Sequence, residues 1–249
     1  MDNGLGSFWD HLEELRSVLL RGIAVVACFA IAAFTLKDPL FDIVLAPMSD
    51  GFVTFRLLGV EPFQLHLVNT TLTEQFLTHM RVAFYVGMLG ASPYILYLLF
   101  GFISPGLYRN ERQVAVWLVG SGYVMFVVGT LLNYFLIFPM TVRFLGTYSV
   151  SDSVTNLLTL QSYIDTLLMM SLMMGLLFEL PVVCGLLGRV GLLSAELMRQ
   201  YRRHAVVAVL IIAAVITPTT DAFTLFVVAL PVWLLYELSI LIVKYTKTR

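Results

Sequence analysis

Apolar residues run through this chain in long blocks, broken by short stretches of charge, proline and glycine. Six blocks read as membrane spans, at about 17–36, 75–100, 114–138, 163–187, 204–216 and 222–243. About 20 apolar residues, rising 1.5 Å each, cross a hydrocarbon core of about 30 Å. The block at 204–216 is shorter and gives only about 20 Å of helix, so it predicts a span that sits low or thins the bilayer. No alternation of period two suggests a barrel. The expected fold is an all-α polytopic membrane protein, one helical domain over 1–249 with six transmembrane helices.

The breaks between blocks have their own content. Residues 37–73 hold Pro39, Pro47, Gly51, Gly59 and Pro62 among apolar residues. They are too interrupted to span and predict short helices forming an outer cap between spans one and two. Thr71 and Glu74 have the spacing of a capping box at the start of span two. Pro93 inside span two predicts a kink, because proline removes one backbone bond and clashes with the preceding turn. Pro139 is expected to end span three, with Arg143 and Asp152 in the loop beyond. In the turn from Thr217 to Asp221, Asp221 is placed to cap span six, where the helix dipole favours an anion.

Ahead of span one, Ser7 to Arg16 form an amphipathic segment. On a helix, Phe8, Leu12, Leu15 and Leu19 share one face, and Asp10, Glu13 and Glu14 fall opposite. Ser7 and Asp10 read as an N-cap with an acidic first turn. These acids, in place of a simple basic leader, predict that span one is a retained helix rather than a cleaved signal. The acidic ledge has two readings: a solvated face with a local Glu13–Arg16 pair, or a receptor for something cationic.

Composition sharpens this picture. Of 249 residues, 59% are hydrophobic and 12% charged, which no soluble domain of this size would bury. The net charge of -1 gives no basis for a nucleic-acid partner. Cys28 and Cys184 lie far apart in apolar runs, and neither a metal site nor a disulfide framework follows. With six spans, Arg16, Arg21, Arg109, Arg112, Arg189, Arg199, Arg202, Arg203, Lys244, Lys247 and Arg249 share one side; Lys37, Arg56, Arg81 and Arg143 lie opposite. Eleven against four places both termini in the cytoplasm.

Within the blocks, Glu179 stands just before Pro181 in span four. A carboxylate near hydrocarbon costs a few kcal/mol, so it is protonated, paired or facing water. A buried hydrogen bond between helices and a role in transport both fit it. Glu237 lies nearer the boundary.

Several stretches, in order, resemble the TatC family, the multispanning subunit of the twin-arginine protein translocase. They are His11-Leu12-Glu13-Glu14-Leu15-Arg16, Ala46-Pro47, Ser92-Pro93, the loop from Phe102 to Arg112 with Pro105-Gly106-Leu107-Tyr108, Phe178-Glu179-Leu180-Pro181, Thr217-Pro218 with Asp221, and Leu235-Tyr236-Glu237. Leu98 and Phe100 stand where members often carry glutamine and tryptophan. The resemblance implies a receptor and core, without enzymatic activity or cofactor, that helps export folded proteins on the proton-motive force. It implies binding of twin-arginine signal peptides at the cytoplasmic face by Glu14 and Glu111, with Arg16, Phe102 and Arg112 around them. Pro47, Pro93, Pro105 and Asp221 would be structural, and Glu179 an intramembrane polar group. The implied partners are single-span TatA-type and TatB-type subunits, further copies of the chain and the bilayer. The implied location is the prokaryotic cytoplasmic membrane, rather than an organellar one. Guanidinium forks suit paired carboxylates independently of the resemblance; Glu111 can equally be neutralised by Arg109 and Arg112.

Two other classes compete. A proton-coupled transporter of a small solute would use Glu179, Asp221 and Glu237 as a relay, but spans one to three and four to six share no repeated motif. An intramembrane enzyme would need His-Glu-x-x-His, Gly-x-Ser-x-Gly or paired aspartates at a workable spacing, and none occurs.

Overall fold

The structure, a computed structural model, describes residues 3–49, 51–59, 67–103, 112–148, 151, 157–217 and 221–246; the side chains of 3–11, 58, 100, 102–103, 112–118 and 246 are outside the description. Packing groups the chain into two compact units, Met1–Leu40 with His79–Val124, and Phe41–Thr78 with Met125–Arg249. Among the described residues, five helical stretches are long and apolar enough to cross a membrane.

In the first unit, α1 (Asn3–Thr35) packs on α4 (Glu74–Ile103). Helix α1 is already running at Asn3, so Ser7 is a helical residue and not the expected N-cap. The cap signal is local, and nothing around Ser7 interrupts the helix. Contact with α4 is close: a Cβ at Gly87 would stand 2.6 Å from the Ala30 nitrogen. Glycine is what lets the two backbones approach. At the α4 start, His79 stacks on Phe34 at 4.1 Å. Helix α4 runs unbroken through Pro93. Proline cannot donate to the carbonyl four residues back, which is Leu89. The Ser92 hydroxyl donates to that carbonyl instead, at 2.6 Å.

The second unit takes up the chain at Phe41, within α2 (Lys37–Leu45), and continues through a single tight turn at Ala46–Met48 holding buried Pro47 to α3 (Val53–Leu58). These are the short helices that the broken 37–73 segment predicts. Span three differs from expectation. Helix α5 (Arg112–Leu132) passes into a π-turn at Asn133–Ile137 and continues as α6 (Phe138–Thr147), so Pro139 does not end it and Arg143 is helical. The reason is the same kind of substitution as at Pro93. Pro139 leaves the Phe135 carbonyl without its usual donor, and the Thr54 hydroxyl donates to it. Phe52 stacks on Phe135 at 5.8 Å, and the Tyr134 and Tyr163 hydroxyls donate to the Ile43 and Val44 carbonyls. The 41–58 segment is therefore fastened to the π-turn.

Two short strands, β1 (Leu67–Val68) and β2 (Leu158–Thr159), pair in parallel with Leu67 opposite Leu158. Helical periodicity gives no sign of them. Span four is two helices, α7 (Leu160–Phe178) and α8 (Leu180–Arg189), interrupted at Glu179 because Pro181 cannot continue the ladder. A Cβ at Gly129 would meet the Met174 carbonyl oxygen at 2.6 Å, so α5 and α7 touch backbone to backbone. Gly191, with φ +80, turns the chain out of α8. Then come α9 (Ala195–Gln200), α10 (Arg202–Ile216) and α11 (Ala222–Thr246), and α11 packs chiefly against α8 and α10. At 15 residues, α10 is not among the helices long enough to cross.

Candidate functional site

The first unit carries a polar pocket where the start of α1 meets the end of α4. Because α1 is continuous, Glu13, Ser17 and Arg21 recur every four residues on one face, with Glu14 beside them. Together with Val18 they line a pocket of about 520 Å³, closed on the other side by Tyr97, Leu98 and Gly101 of α4. Glu13 and Glu14 are exposed, so the mouth opens outward. Leu98, which takes the place of the glutamine expected from the resemblance, is buried and contributes no polar group.

The predicted binding residues divide. Glu14 lies in this pocket, whereas Arg16, exposed on the same helix, does not line it. Phe102 lies in the last turn of α4 and Arg112 begins α5, but their side chains lie outside the description. Pro105 and Glu111 are outside the described residues, so the expected pairing of Glu14 with Glu111 has no geometry here. Ser17, Arg21 and Tyr97 complete the pocket and were not singled out as site residues by the sequence; their signal was only the four-residue step on from Glu13.

In the second unit, Glu179 is 8% exposed, and neither carboxylate oxygen has a hydrogen-bond partner among the described residues. Its backbone bridges the break: its N–H donates to Leu176, and its carbonyl accepts from Val183. Two turns earlier, buried Asn133 donates to Ser171 at 2.8 Å. Asp221 accepts from the Thr224 N–H at 2.7 Å at the first turn of α11. Glu237, which the transporter reading puts in a relay, is paired with Arg202. Among the described residues no cluster of His, Cys, Asp and Glu could hold a metal ion.

The family model for the Sec-independent protein translocase protein TatC matches residues 10–231. The chain belongs to the TatC family. The TatC protein of Deinococcus radiodurans is 35% identical over 237 residues, covering 94% of this chain and 84% of that one. TatCy of Bacillus subtilis is 34% identical, covering 96% and 89%. The crystal structure of the twin-arginine translocase receptor TatC superposes with a TM-score of 0.79 at 29% identity, covering 96% of this chain and all of that one. The TatC likeness thus extends over the acidic start, the π-turn and the Glu179 break alike. It also accounts for the multi-pass, apolar character of the helices.

Proposed function

We propose that this chain is the receptor and core subunit of a twin-arginine protein translocase. In this reading α10 is a sixth, short span, and the basic residues hold both termini in the cytoplasm of a prokaryotic cell. The 37–73 segment caps the opposite face. Twin-arginine signal peptides dock at the cytoplasmic end, single-span TatA-type and TatB-type subunits assemble around the core, and the proton-motive force drives folded cargo across.

One observation carries the binding role: Glu13 and Glu14 open into a shared pocket at the end of α4, from which the chain leads directly into the segment holding Glu111. Carboxylates on two separate elements suit two adjacent guanidinium groups, each of which can take a bidentate pair of bonds. A charge-assisted hydrogen bond contributes about 1.5–3 kcal/mol, so losing one carboxylate weakens binding about tenfold to a hundredfold. The test is the affinity of a twin-arginine peptide for the purified protein. Glu14→Ala and Glu111→Ala each bind more weakly, the double mutant shows coupling, and a twin-lysine peptide binds less well than twin-arginine. Unchanged affinity in both single mutants overturns the site.

A further inference from the structure

The pocket at the start of α1 is not uniformly acidic. Read inward along the helix, its polar lining is Glu13 and Glu14, then Ser17, then Arg21. At 1.5 Å per residue, the Arg21 backbone lies about 10 Å deeper than that of Glu14. An arginine at such a depth keeps its stem in apolar surroundings and reaches back toward the polar boundary. A dicationic peptide is matched by the carboxylates but opposed by Arg21.

Past Val18 and Leu98, which line both spaces, the pocket gives onto an apolar groove of about 550 Å³. Its walls include Gly22, Ala27 and Ala30 of α1, with Phe84 and Met88 of α4. From Val18 to Ile31 the groove follows about 20 Å of helix, enough for a chain that crosses one leaflet, about half of a 30 Å core. Helix α1 is bare enough for such a ligand to enter sideways, with only 11% of its most apolar window buried.

The order from the membrane surface inward is therefore anionic side chains, a cationic side chain with a hydroxyl, and then an apolar slot. That is the mirror of an aminophospholipid: primary ammonium outermost, phosphate below it, acyl chain in the hydrocarbon. We propose that this site binds one molecule of a phosphatidylethanolamine-type lipid from the leaflet on the N-terminal side. Glu13 and Glu14 take the ammonium, Ser17 and Arg21 take the phosphate, and the groove takes an acyl chain. This goes beyond the peptide reading and makes the lipid a competitor for Glu14, released when a signal peptide docks.

The test is lipid retention by the purified protein, measured by native mass spectrometry. Phosphatidylethanolamine, phosphatidylcholine and phosphatidylglycerol with identical acyl chains serve as probes. The ethanolamine lipid is retained about tenfold over the glycerol lipid, which lacks the ammonium, and above the choline lipid, whose methylated ammonium cannot donate. Arg21→Gln lowers retention about tenfold through the phosphate. Gly22→Leu fills the groove: a Cβ there meets nothing within 4 Å, and leucine is the better helix former, so folding is not at risk. It lowers retention of the ethanolamine lipid while twin-arginine peptide affinity is kept or raised. Equal retention of the three lipids, or retention unchanged by both substitutions, overturns the proposal. So does weakened peptide binding in Gly22→Leu, which gives the groove to the hydrophobic stretch of the peptide. Normal peptide binding without selective lipid retention defeats this proposal alone; selective retention without peptide binding defeats the receptor reading alone.

Discussion

Glu74 and Glu179 are buried almost equally, at 2% and 8% exposed, yet they are treated in opposite ways. The Glu74 carboxylate accepts from the Thr70 N–H and hydroxyl, the Thr71 N–H and the Gln161 N–H, at 2.8–3.2 Å. Glu179 accepts at neither oxygen among the described residues. The two mark opposite ends of α7: Gln161 stands at its start, and Glu179, about 27 Å further along, at its break. A carboxylate with four donors has its desolvation offset and fastens one strand-helix corner to another. A carboxylate without donors carries an uncompensated cost of desolvation, so packing alone gives no reason for it. The contrast separates an acid whose bonds hold the fold from one that no hydrogen bond among the described residues explains.

The largest effect is expected where the donors are most dependent. Glu74→Ala strands three backbone N–H groups, two in the Thr70–Thr71 turn and one at the start of α7, and is the most destabilising of these substitutions. Glu74→Gln recovers part of this, because its amide keeps one acceptor oxygen but turns an NH₂ toward the remaining donors. Unfolding of such a protein is best followed as thermal half-life in detergent. A Glu74→Ala protein that survives as long as the wild type removes the structural half of the contrast.

Glu179 should behave in the reverse sense. Glu179→Gln and Glu179→Ala leave thermal half-life at or above the wild-type value, since replacing an unpaired buried charge is neutral or favourable by about 1–3 kcal/mol. Both proteins accumulate, and both fail to export a folded twin-arginine cargo from cells. Normal export with Glu179→Ala takes the residue out of the working site; a shortened half-life instead makes it a second anchor like Glu74.

The sequence made these roles legible to unequal degrees. The five long apolar helices and the acidic face at the start of α1 are readable because hydropathy and helical spacing are local patterns. The Thr71–Glu74 spacing announced a carboxylate bonded to its own turn, and Thr71 does donate to it. The bond from Gln161, 87 residues away, is a product of tertiary packing and leaves no local trace. The Pro139 reading erred for a related reason. Pro139 was expected to end a helix, but the donor that rescues the Phe135 carbonyl is Thr54, 81 residues upstream. The rescue at Pro93 comes from the adjacent Ser92 and was within reach of the sequence. In the pocket between α1 and α4, Glu14 is legible through its charge, while Arg21 and Tyr97 depend on which turns of the two helices meet.

Asp221 is half-buried, with its Oδ1 accepting from the Thr224 N–H. It serves the open first turn of α11, where the N–H groups have no partners inside the helix. Two contributions are combined there: the hydrogen bond, which a neutral side chain can reproduce, and the interaction of negative charge with the helix dipole, which it cannot. Asp221→Ala removes both and costs about 1 kcal/mol, the smallest change of the three. Asp221→Asn keeps the bond and retains most of that stability. Amide hydrogen exchange at Thr224 resolves the effect, because a cap acts on its own turn and leaves the rest of α11 unchanged. Faster exchange in the alanine protein but not in the asparagine protein assigns the role to the bond. Equal acceleration in both assigns it to charge, and no acceleration in either removes Asp221 from the set of carboxylates that hold the second unit together.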